Sequence, residues 1–233
     1  MIFSRRRRNR QARDEEPRQA SREDEPRQEP ERAERPTRGP YDISEAPSGV
    51  QRLDLGSLHI PPVPGVELRV QADPTGRIQQ VVLIHGQSAL QLGVFAAPRS
   101  EGIWDEVRAE IRSSLQAEGA PVEEIPGEYG VELRTQVRTE TGEKTDLRFV
   151  GIDRPRWMVR AVFQGPAARD PANAGPLAEV LSGLVVDRGR HAMPVREPLP
   201  LRLPREFTQR AGQGAPPAPT PGAGAPGPWM PPR

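Results

Sequence analysis

Two turns carry the residues best suited to chemistry. Asp153-Arg154-Pro155-Arg156-Trp157 sets two guanidiniums beside an indole, and Asp187-Arg188-Gly189-Arg190-His191 sets two more beside an imidazole. A guanidinium fork binds carboxylate or phosphate bidentately, and a tryptophan face stacks on a base. Arg154, Arg156, Trp157, Arg188 and Arg190 are therefore candidate contacts for an anion or a partner. The structural alternative is a plain hairpin turn with Trp157 opening a core strand. The second turn would then be a basic cap at a helix C-terminus, where arginine suits the dipole. A third basic group is Arg5, Arg6, Arg7, Arg8 and Arg10, in a stretch (1–13) with six arginines and no acid. It is a candidate nucleic-acid contact through counterion release, against the alternative of a solubilising leader.

Other chemistries lack their residues. Val82-Leu83-Ile84-His85-Gly86 resembles the strand-to-turn of an α/β hydrolase, but no G-x-S-x-G elbow exists, and Gly86-Gln87-Ser88-Ala89-Leu90 lacks the last glycine. His85 reads better as a hairpin residue. No G-x-x-x-x-G-K-S/T is present, and Gly222-Ala223-Gly224, which opens the one G-x-G-x-x-G spacing, lies in the Pro-rich tail with no strand or helix signal beside it. With no cysteine and three separated histidines, His59, His85 and His191, no metal centre is expected. Glu123-Glu124 ahead of Pro126 reads as a solvated pair in a loop. No cofactor and no enzymatic activity are expected.

The elements that would position these turns occupy the middle of the chain. The ends are low in large apolar residues: beyond Met1, Ile2 and Phe3, residues 1–40 hold twelve arginines, nine acids and nothing large and apolar. Such a segment cannot offset its ordering entropy. The tail, ending Pro228-Trp229-Met230-Pro231-Pro232, is rich in Gly, Pro and Ala. This divides the chain into a disordered charged leader (1–44), one domain (45–207) and a disordered tail (208–233). The whole chain is near neutral, at +1, with a mean hydropathy of −0.69. No apolar run reaches the roughly 18 residues of a membrane span. No apolar stretch follows the leader arginines to make a secretory signal, so a cytoplasmic location is expected.

Val66-Glu67-Leu68-Arg69-Val70-Gln71 alternates as a half-buried strand does. Residues 77–85 and 89–96 read as two more strands. Ile103, Val107, Ile111 and Leu115 recur every fourth residue beside Trp104, a helix that Gly119 and Pro121 stop. The order then repeats: strands over 131–136, 145–152 and 156–164, and a helix marked by Leu177, Val180, Leu181 and Leu184. V-E-L-R-x-Q stands at both 66–71 and 131–136. Internal duplication of a βββα unit is one account of this, and convergent amphipathic patterning is the other. The fold class is α+β: an antiparallel sheet of about six strands with two helices on one face. Val50 to Ile60 could add an edge.

Several segments resemble an uncharacterised family common in actinobacteria, a domain of unknown function. They are Gln91 to Arg99 followed by Trp104-Asp105-Glu106-Val107-Arg108, Gly127 to Leu133, Arg148 to Trp157, Asp187-Arg188-Gly189, and Pro198 to Pro204. The resemblance spans about 45–205 and implies no activity, cofactor or catalytic residue.

The function expected is that of a cytoplasmic, non-enzymatic protein-interaction module with an unknown protein partner. The alternative is a nucleic-acid-associated protein using the arginine leader and the arginine turns. A third class is an enzyme or binder of a small anionic ligand at 153–157.

Overall fold

The computed structural model describes residues 38–73, 77–139 and 142–203. Arg5, Arg6, Arg7, Arg8 and Arg10 lie outside the described residues, as does the expected tail. In chain order the elements are β1 (Tyr41–Asp42), β2 (Leu53–Asp54), β3 (Leu58–Ile60), β4 (Glu67–Ala72), β5 (Ile78–His85), β6 (Ser88–Ala96), α1 (Trp104–Ala117), β7 (Val122–Gly127), β8 (Gly130–Arg138), β9 (Lys144–Arg154), β10 (Trp157–Gln164), α2 (Pro166–Arg169), α3 (Gly175–Gly183) and β11 (Val185–Val186). A short 3-10 turn, Pro171–Ala174, joins the last two helices. Residues 38–44, assigned by composition to the leader, carry β1, with Tyr41 buried against the domain.

The sheet is larger than expected. Seven antiparallel strands run in the order β4-β5-β6-β10-β9-β8-β7, and a second sheet of four short strands runs β1-β11-β3-β2. The extra strand of the large sheet is β7, whose Glu123, Glu124 and Pro126 read as loop. It is an edge strand, the one kind of strand that tolerates proline. Val50 to Ile60 supplies β2 and β3 of the small sheet instead of an edge of the large one.

The two main helices lie on opposite faces of the large sheet, not on one. The α1 side chains Trp104, Val107, Ile111 and Leu115 pack with Leu133, Leu147, Phe149, Met158 and Val162. The α3 side chains Leu177, Val180 and Leu181 pack with Val150, Ile152, Val159, Ala161 and Phe163 on the other side. Strands β9 and β10 are thus covered on both faces, which is why their sequences run apolar at successive positions. Close approach of α1 needs Gly151, because a Cβ there would lie 1.9 Å from the Trp104 ring.

The repeated motif does not repeat in space. Both meanders, β4-β5-β6 and β8-β9-β10, keep sequential order. Yet Leu68 of the first V-E-L-R packs on the α3 side, and Leu133 of the second packs on the α1 side. A one-residue shift flips a side chain across a sheet, so the matching letters serve different faces.

One irregular segment completes the large sheet. The pairing of β5 with β6 stops at Val81 and Leu92. Beyond that point residues 196–202 enter between the diverging strands. Leu199 N donates to Val94 O at 2.9 Å, Ala96 N donates to Glu197 O at 2.9 Å, and Ile78 N donates to Leu201 O at 3.3 Å.

Candidate functional site

The two arginine turns meet. Pro155 and Arg156 close the β9–β10 hairpin, with Arg156 at φ 75°, the left-handed conformation that the third position of a Pro-led type II turn requires. A non-glycine residue stays there because its backbone is fully engaged. Arg156 N donates to Pro98 O, and Arg156 O accepts from Ala97 N, both at 2.9 Å. Arg156 O also accepts from Arg188 Nε at 3.1 Å, and Arg156 Nη2 donates to Gly189 O at 3.0 Å. Arg188 is buried, its Nη1 donating to His191 O at 3.1 Å. Burial, with Arg156 beside it, lowers its pKa from the ordinary arginine value.

The other sequence candidates point elsewhere. Arg154 pairs with Glu45. Trp157 is fully buried and donates from Nε1 to Asp42 Oδ2 at 3.2 Å, so it has no face to stack on a base. Burial pushes the Asp42 carboxyl up, but hydrogen bonds from Ser44 and Trp157 and the nearby Arg154 charge more than offset this, and its pKa lies below the ordinary value. Arg190 is exposed. Of the five, the fold brings Arg156 and Arg188 together, and the side-chain hydrogen bonds they make go to main-chain carbonyls.

A second constellation escaped the sequence reading. Glu132 on β8 and Arg148 on β9 form an ion pair at 2.8 Å, with side-chain exposures of 4% and 7%. Arg148 also lies over the Phe163 ring, 4.3 Å from its centroid, and donates to Ala167 O at 3.3 Å. The pair lines a cavity of about 140 Å³ between the β7–β8 turn and α3. Tyr129 borders the cavity and donates from its hydroxyl to Gly39 O at 3.2 Å. Burial, with the Glu128 charge beside it, pushes its pKa up to about 12. Gly127 makes room for the carboxylate: a Cβ there would lie 2.0 Å from Glu132 Oε1. No local signal marks the pair, since both charges occupy alternate positions of strands that read as solvent-facing.

A wider trough, about 590 Å³, runs along the edges of the two sheets. Leu53 of β2, Val63, Val66, Leu68 of β4 and Leu83 of β5 line it, while Arg52 and Asp54 supply polar groups. Each of β2 and β4 ends the strand order of its own sheet. Among the described residues no group of three or more His, Asp and Glu could hold a metal ion. No helix among them is long and apolar enough to cross a membrane.

These features define a mostly β domain of the α+β kind, built on an antiparallel sheet with helices on both faces. The chain belongs to the family described as "Protein of unknown function (DUF3710)", whose model matches residues 39–210. No curated protein matches the sequence. A crystal structure of a protein from Bacteroides thetaiotaomicron VPI-5482 shares 11% identity at a TM-score of 0.41, covering 70% of this chain and 57% of that one.

Proposed function

We propose that the domain is a non-enzymatic protein-interaction module of the cytoplasm that receives an extended segment of a partner protein. One observation carries this: two terminal strands, β2 and β4, border the same apolar trough. A terminal strand offers a row of N–H and C=O groups to an incoming strand, and pockets beside it select alternate side chains. Leu53, Val66 and Leu68 are half-exposed and suit such a segment. The test is a photo-crosslinking amino acid placed at Leu68 in the organism of origin, with Ser113 on the exposed face of α1 as control. A discrete protein adduct from position 68 and none from 113 is expected. No adduct at 68, or the same adducts at both, would refute the trough.

Contact with nucleic acid is the second reading. It rests on the meeting of the two turns, which gathers the exposed Arg99 and Arg190 around Arg156. Fluorescence anisotropy with single-stranded DNA at two salt concentrations tests it. Binding that falls steeply with salt and is lost in the Arg99→Gln, Arg190→Gln double variant would favour it.

A further inference from the structure

Helix α1 covers the β7–β10 part of its face and leaves the β4–β6 part open. There Val82, Ile84 and Gln91 stay half-buried without a helix above them. The charges on this open half are balanced, with one exception. Glu67 and Arg69 pair with each other at 2.9 Å. Arg160, on β10 at the border of the covered part, has no hydrogen-bond or ion-pair partner among the described residues.

Its setting differs from that of the other arginines. Arg160 stands directly across from Gly93 on β6 and Gly151 on β9. Its guanidinium carbon lies 5.2 Å from the centroid of Phe95, which shares β6 and the same face. Gly93 keeps that surface low, since a Cβ there would lie 2.9 Å from the Phe95 ring and 4.0 Å from Arg160 Nη2. The Nε atoms of Arg134, Arg148 and Arg154 are sealed from solvent without a partner, whereas no nitrogen of Arg160 is sealed in this way. Burial alone lowers the Arg160 pKa, with no counter-charge acting on it. A guanidinium stays charged in proteins, and among the described residues only the Phe95 ring stands against its partial desolvation. Gln91, two residues before Gly93 on the same face, places a carboxamide on the diagonal from Arg160, within reach of a shared ligand. Its side chain makes no hydrogen bond among the described residues.

We propose that the open half of the sheet face is a binding site for a small molecule bearing one carboxylate or phosphate group, held by the Arg160 guanidinium and the Gln91 carboxamide. The planar fork takes either oxyanion bidentately. Phe95 and Val82 offer an apolar floor to the remainder of the molecule. The site is separate from the trough at β2 and β4, which lies on the α3 side, so each stands without the other.

The test uses the full chain and two probes, inorganic phosphate and benzoate, against chloride at equal ionic strength. The reading is the arginine Nε–Hε region of a nitrogen-15 NMR spectrum, with the Arg160 signal assigned from its loss in Arg160→Lys. A saturable shift of that signal with phosphate alone assigns the site to phosphate compounds. A shift with benzoate alone assigns it to carboxylates, and a shift with both leaves the shared oxyanion as the determinant. The same probes should raise the thermal midpoint of the wild type and of Arg69→Gln, and that rise should vanish in Arg160→Gln. No saturable shift at Arg160 with either probe, or equal shifts with chloride, overturns the proposal. So does a midpoint rise that survives in Arg160→Gln.

Discussion

The carboxylate of Asp153 caps the helix that Trp104 begins. Asp153 Oδ2 accepts from Trp104 N at 3.0 Å while Oδ1 accepts from Ile103 N at 2.9 Å. Helix α1 has no capping side chain of its own at Ile103, and an acceptor from β9 supplies what a local Ser or Asp does elsewhere. The first residue of the 153–157 turn is therefore committed to helix initiation. Asp153→Ala should cost about 1–2 kcal/mol of stability in urea denaturation. Gly102→Ala should act in the same direction, because its Cβ would fall 2.4 Å from Asp153 Oδ2.

The two cores should respond independently. Ile111 and Leu181 are almost fully buried in separate clusters on opposite faces. Truncating either to Ala should cost about 2–5 kcal/mol. The double variant should lose the sum to within about 0.5 kcal/mol, the behaviour of sites that share no partner. A large coupling energy in the double-mutant cycle would mean that the sheet transmits strain between its faces.

Glu132→Gln should be more harmful than removal of both charges. It leaves Arg148 buried without its counter-ion, a change that costs about 3–5 kcal/mol. Glu132→Leu combined with Arg148→Met replaces the pair with apolar volume and should recover most of that loss. Equilibrium unfolding of the single and double variants provides the measurement, and equal losses in both would refute the account.

Arg188 and Arg190 stand two residues apart and should differ sharply. Arg188→Ala removes a buried side chain and its bonds to the carbonyls of Arg156 and His191, though Arg156 O keeps the bond from Ala97 N, and the loss should be about 1–3 kcal/mol in all. Arg190→Ala, at an exposed position, should stay within about 0.5 kcal/mol of wild type. Thermal denaturation of the two variants distinguishes them.

Acid should weaken the attachment of the first described segment. The folded-state pKa of Asp42 is depressed, so its contribution is complete above the ordinary carboxylate value, about 4. It is lost as pH falls through the depressed folded value. Asp42→Asn should flatten that part of the stability–pH curve, with the emission of the buried Trp157, its hydrogen-bond partner, as the readout.

The strands and helices with strong periodicity were legible in the sequence. The alternation at 66–71 and the i+4 spacing of Val107, Ile111 and Leu115 are local signals, and both elements formed where those signals lay. Strand β7 was not legible because Pro126 and paired glutamates carry the composition of a loop, and only its edge position permits them. The face chosen by α3 was equally hidden, since Leu177 and Leu181 state that a side is buried but not which side of the sheet receives it. Glu132 and Arg148 sit at polar positions of alternating strands, and local patterning cannot reveal that α3 and the β7–β8 turn enclose them. The contact between Arg156 and Arg188 joins main chain to side chain across 32 positions, beyond any motif of spacing.

The wedge of residues 196–202 sets an order of events during synthesis. Val94, Ala96 and Ile78 lie in the first half of the chain, yet their last main-chain partners are Leu199, Glu197 and Leu201. While the ribosome still holds those residues, the β5–β6 gap stays open and the backbone groups facing it are satisfied only by water. The nascent sheet therefore carries an unfinished edge in its interior until residue 202 has emerged from the ribosome. A chain ending between residues 187 and 195 would contain the sequence of every described strand and helix and would still expose a ready template for pairing with another chain.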